Sequence, residues 1–111
     1  MQSLPLACLL ATTVGIPFAS AQQIVVPSNR TTEVETGCLV RGLDPNGDGF
    51  LALRSGPGTG YPQIGSLRNG DAAYIKAPPK ERWLYVENGA INGRETTFRG
   101  WIYDAWCEFY P

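Results

Sequence analysis

The chain has 111 residues, 9 basic and 10 acidic, for a formal net charge of −1. That length holds one domain, and balanced charge without a basic run argues against nucleic-acid binding. The absence of histidine removes Ser–His and Cys–His nucleophilic pairs and most zinc chemistry.

Met1 to Ala21 carries no charged side chain, is rich in Leu, Ala, Val, Ile and Phe, and ends in the small-x-small pattern Ala19-Ser20-Ala21. It reads as a secretory signal peptide, with the mature protein starting at Gln22. A retained membrane anchor would need about 20 continuous apolar residues, and Pro5 and Pro17 interrupt this run. Leu6-Ala7-Cys8 has only part of a lipidation box, because Pro5 stands where an aliphatic residue is usual. Residues 22–36 are polar, with Pro27, Ser28, Asn29 and paired threonines, and suggest a flexible N-terminal arm. Asn29-Arg30-Thr31 within it has the form of a glycosylation sequon.

The folded domain is expected over residues 37–111, starting with a strand from Gly37 to Gly42. Asp44-Pro45-Asn46-Gly47-Asp48-Gly49 places oxygen ligands and a glycine as the first half of a calcium loop does. Ser55 then occupies the position where a bidentate Glu should sit. A turn joining two strands is the simpler reading, a weak calcium site the alternative, and no metal ligand set is assigned. Leu51-Ala52-Leu53-Arg54 alternates as a half-buried strand does. Ser55-Gly56-Pro57-Gly58-Thr59-Gly60 must turn sharply. A short strand through Ile64 and Leu67 follows, and Asn69-Gly70-Asp71 is a second turn signal.

The run from Leu51 to Asp71 resembles the signature of the bacterial SH3 domain: an apolar-x-apolar strand, Arg-Ser-Gly-Pro, then Tyr61, Ile64-Gly65, Leu67 and Gly70-Asp71. The resemblance continues at Trp83-Leu84-Tyr85-Val86 and Gly100-Trp101-Ile102, and spans Cys38 to Tyr110. It implies an all-β, SH3-like barrel of five to six short antiparallel strands. Two cysteines, Cys38 and Cys107, remain after the leader, and in an exported chain they favour one disulfide. In an SH3-type barrel the first and last strands are neighbours, which suits that pairing. A metal pair is the alternative, but two thiols without His give too few ligands.

Later strands are expected at Ala72–Lys76, Trp83–Val86, Gly100–Tyr103 and Cys107–Tyr110. Ala77 to Arg82 forms a stiff loop, Glu87 to Arg99 a long hairpin connection with two Asn-Gly turn signals, and Asp104-Ala105-Trp106 a tight turn. If Leu84, Val86 and Ile102 face the core, then Trp83, Tyr85, Trp101 and Tyr103 face away. Four aromatics on one side would make a platform suited to peptide or sugar ligands, unless the arm or the 87–99 segment covers it as a second small core. Tyr61 and Arg54 join these four as candidate ligand-binding residues, and loop bracing is their plainer role. No catalytic residue or cofactor is expected. The resemblance implies a monomeric binding module of the bacterial cell envelope, periplasmic or extracellular and not inserted in the membrane. Its partners would be peptidoglycan peptides or an envelope protein. The second hypothesis is a small secreted inhibitor or immunity-type protein that blocks one enzyme through Glu87 to Arg99.

Overall fold

Short runs of aliphatic, aromatic and β-branched residues between turn formers carry the domain into strands, with clean period-two alternation in Leu51–Arg54. The computed structural model describes residues 23–32, 36–44, 46–47 and 49–111; the leader, with its cleavage and lipidation readings, lies outside them. The strands are β1 (Thr36–Val40), β2 (Leu51–Arg54), β3 (Gln63–Leu67), β4 (Ala72–Ile75), β5 (Trp83–Ile91), β6 (Arg94–Tyr103) and β7 (Cys107–Tyr110). A single 3₁₀ turn, Asp104–Trp106, separates the last two. All pairings are antiparallel, in one seven-stranded sheet ordered β3-β2-β6-β5-β4-β1-β7.

The all-β expectation holds, with two corrections. Among the described residues there are seven strands rather than five or six, and the sheet is not closed. β3 pairs with β2 and β7 with β1, and β3 and β7 are not paired with each other, so both remain as edges. The joint between β2 and β6 is narrow, a single paired position, Arg54 opposite Trp101.

Leu84, Val86 and Ile102 do face the core, where they meet Val40, Leu53, Leu67 and the half-cystine Cys38. Cys38 is bonded to Cys107 across a separation of 69 residues. β1 and β7 are neighbours, and Cys107 stands opposite Val40. Closing so long a loop restricts the unfolded chain by roughly 4 kcal/mol in the chain-entropy account.

The Glu87–Arg99 connection is instead the continuation of β5 and β6. The turn is Asn92-Gly93, with φ of 53° and 77°, the type I′ signature of a two-residue hairpin. The earlier Asn88-Gly89 signal is a bulge: Asn88 has φ 68° and the β5–β6 register shifts between Glu87 and Gly89. The hairpin end is tied down, because Tyr74 Oη donates to Glu95 (2.8 Å to Oε2) and the Asn92 amide donates to Asp71 Oδ1 (3.0 Å).

The arm also differs from expectation. Residues 23–32 lie docked along the sheet. The Val25 amide donates to Ser55 O and the Thr31 amide to Lys76 O, both at 2.8 Å. Lys76 Nζ returns a 2.8 Å bond to Thr32 O. Ile24 packs with Ala77, Tyr85, Trp101 and Trp83 in a second, smaller core. Ile24 is the apolar anchor, while Val25 and Val26 stay exposed and the arm is held otherwise by these backbone hydrogen bonds.

Candidate functional site

Two loops and two strand ends build the candidate site. The first loop, Ser55 to Tyr61, is closed by the Ser55 amide donating to Pro62 O at 3.0 Å and the Tyr61 amide donating to Gly58 O at 3.2 Å. Arg54 Nη1 donates to Tyr61 O at 3.0 Å and braces the loop from below. The Tyr61 ring packs against Gly56, where a Cβ would overlap it. Gly100 performs a similar service at the β2–β6 joint: a Cβ there would sit 2.7 Å from Arg54 O. The Arg-Ser-Gly-Pro run thus fixes the loop and aims the Arg54 side chain.

The second loop is the β4–β5 hairpin. Lys80 and Trp83 exchange backbone hydrogen bonds of 2.9 Å in both directions, which leaves Glu81-Arg82 as a two-residue turn. Glu81 has φ 58°, in the left-handed region that favours glycine at the first central position of such turns. Arg82 is held by Asp104, 2.7 Å from Nη2 to Oδ1, and its guanidinium lies 4.8 Å from the Tyr103 ring centroid. Asp104 strengthens the hold of Arg82 on its proton. Trp83 and Tyr103 meet edge to face, with centroids 5.2 Å apart.

These parts enclose an open groove of about 560 Å³ between Arg54, Pro57-Gly58-Thr59, Glu81, Trp83 and Tyr103. A second groove of about 470 Å³ runs along Tyr61, Pro57, Pro78, Lys80 and the docked arm. Of the six residues singled out from sequence, Arg54, Trp83 and Tyr103 therefore come together, and Tyr61 lies beyond Pro57 on the neighbouring groove. Tyr85 and Trp101 do not join them as a surface: they are 0% and 2% exposed. The arm covers them, and Trp101 Nε1 donates to Val25 O at 2.8 Å. The platform of four aromatics is thus divided into an open pair and a covered pair.

Sequence reasoning passed over Glu81, the groove wall from Pro57 to Thr59, and a partly buried polar network. In that network Arg30 forms an ion pair with Glu87, with Nη2 donating to Oε1 at 2.8 Å. Tyr85 Oη donates to Glu87 Oε2 at 2.5 Å. The Arg30 guanidinium, aided by the Tyr85 hydroxyl and opposed by burial, holds the Glu87 carboxyl down to about 2. Burial first, then the bond to Glu87, pushes the Tyr85 phenol up. A carboxylate at the inward end of an aromatic strand is the one sequence signal that could have drawn attention to Glu87.

Asp44 Oδ1 accepts from the Asn46 amide at 2.9 Å, and Asp44 O from the Gly47 amide at 3.0 Å. This is an Asx turn, as the turn reading of that segment expected. Among the described residues no group of three or more His, Cys, Asp or Glu converges. The open groove offers a guanidinium, a carboxylate, two aromatic rings and loop backbone, which are the components of a recognition surface. Comparison with protein-family models, with curated proteins and with solved structures returns no match, so the functional reading rests on this geometry and on the chemistry of its residues.

Proposed function

We propose that the chain is a non-catalytic, exported binding module of the bacterial cell envelope, and that it takes peptidoglycan peptides or an envelope protein in the groove of Arg54, Trp83 and Tyr103. The observation that carries this reading is the gathering of three separately chosen residues around one open groove of about 560 Å³. The Cys38–Cys107 disulfide supports an oxidising compartment. Retention of the mature protein on purified peptidoglycan, compared with a control protein of similar charge, is the test. Trp83→Ala should reduce retention while leaving the fold intact, and equal retention of protein and control would sink the proposal. The inhibitor reading draws less support, because Glu95 and Asn92 hold the β5–β6 hairpin against its own domain instead of leaving it free to plug a cleft.

A further inference from the structure

We infer that the groove is a zwitterion site: it takes a ligand that presents a carboxylate to Arg54 and an ammonium to Glu81, with the intervening apolar segment on Trp83 and Tyr103. This inference rests on the binding-module reading above and names the ligand chemistry of the same groove.

The guanidinium of Arg54 is the first observation. It spends one N–H on Tyr61 O; among the described residues it, like Arg68, Arg94 and Arg99, has no carboxylate partner, and of these four it is the one that lines this groove. Arginine carries five donors in a planar fork that matches a carboxylate. Anchoring one of them on a backbone carbonyl orients the others without neutralising the charge. The same wall adds Thr59, whose backbone amide donates to no protein acceptor among the described residues.

Glu81 is the second. It stands on the ridge shared by this groove and a neighbouring one of about 490 Å³ lined by Pro78, Pro79 and Leu84. It also has no cationic partner among the described residues. Its left-handed backbone (φ 58°) puts a charged side chain where glycine would be relaxed, and strain of this kind gathers at ligand-binding positions. Arg82, next in the chain, is already neutralised by Asp104, which leaves Glu81 as the charge of that wall. Opposite charges that line one groove together with two aromatic rings set the polarity of a bound ligand.

The test uses the oxidised mature protein and three soluble probes: Nα-acetyl-Lys-Ala-Ala, its C-terminal amide, and its Nε-acetyl derivative. Binding is read from the Trp83 and Trp101 indole N–H signals in ¹H–¹⁵N spectra. The free acid should shift Trp83 and leave Trp101 still. The amide and the Nε-acetyl peptide should each bind at least about tenfold more weakly, the effect of losing one charged hydrogen-bond partner. Arg54→Gln should erase the acid–amide difference, and Glu81→Gln the amine–acetyl difference, each without touching the other. Equal binding of all three probes at Trp83 would overturn the zwitterion assignment and leave the groove as a binding site. No shift by any probe would also overturn it, and the peptidoglycan retention test then decides separately whether the binding-module reading survives.

Discussion

Two aromatic pairs sit side by side on the same two strands and meet opposite fates. Trp83 stands opposite Tyr103, and two residues along Tyr85 stands opposite Trp101. Trp83, Tyr85 and Trp101 belong to the second, smaller core, whereas Tyr103 packs against the margin of the main one, and each pair makes a tilted or edge-to-face contact, at 5.2 and 5.4 Å between centroids. The difference comes from a segment far away in sequence. Val25 bonds Ser55 and Trp101, Arg30 bonds Glu87, and the covered pair becomes a small core. The open pair is only half-buried: Trp83 flanks that small core and Tyr103 the main one, and a groove remains beside them. Strand alternation decides which face a residue points to, but a docked segment decides whether that face is surface or interior.

The largest effect expected from this contrast is on stability. Trp101→Ala removes a fully packed ring and leaves Val25 O without its donor, and should cost about 3–5 kcal/mol. Trp83→Ala, on a half-buried ring, should cost only about 1 kcal/mol while weakening ligand retention. Urea unfolding of the two variants measures both costs. Equal costs would mean that the covered and open pairs are not energetically distinct.

The next effect lies in the pH dependence of the strap. Glu87 has its folded value held down to about 2 by Arg30, against about 4.3 in an unfolded chain. A lowered value means the contribution is fully present above the unfolded value and is lost as pH falls through the folded one. Stability should therefore decline between about pH 5 and pH 2, by up to about 3 kcal/mol from this group. Glu87→Gln should flatten that decline, as followed by urea midpoints across the range. On the open side, the Arg82–Asp104 pair is largely exposed and screened by solvent, so Asp104→Asn should change the urea midpoint much less than Glu87→Gln does. A profile insensitive to Glu87→Gln would remove the strap's ion pair as a stabilising element.

The sequence made some of this legible and hid the rest for identifiable reasons. Leu51–Arg54 and Cys107–Tyr110 could be bounded residue for residue, since alternation between turn formers is a local signal. β5 and β6 were legible only at their aromatic ends. Asn88-Gly89 resembles a turn, but there the left-handed Asn88 and the close passage of Gly89 under Ala72 make a bulge, so the strands run on to Ile91 and from Arg94. The groove was half legible: Arg54, Trp83 and Tyr103 could be chosen by residue type, whereas Glu81 acquires its place only from the backbone of a two-residue turn. The covering of Trp101 depends on a contact 76 residues apart in sequence. Its one local trace is Ile24, at the head of an apolar triplet inside an otherwise polar arm.

Glu81 offers the smallest and most discriminating effect. Relief of a left-handed backbone is worth roughly 1 kcal/mol for an ordinary residue, and a new glycine gives back roughly half of that through the greater freedom of the unfolded chain. Glu81→Gly should therefore raise stability by about 0.5 kcal/mol, visible as a small increase in the urea midpoint with unchanged slope. The same variant should lose the preference for an ammonium-bearing peptide. Stability rising while recognition falls would mean that the turn holds strain for the sake of the carboxylate it presents. A fall in stability would mean instead that contacts of the Glu81 side chain stabilise the turn. The open side of the sheet would then resemble the covered side, built for packing before recognition.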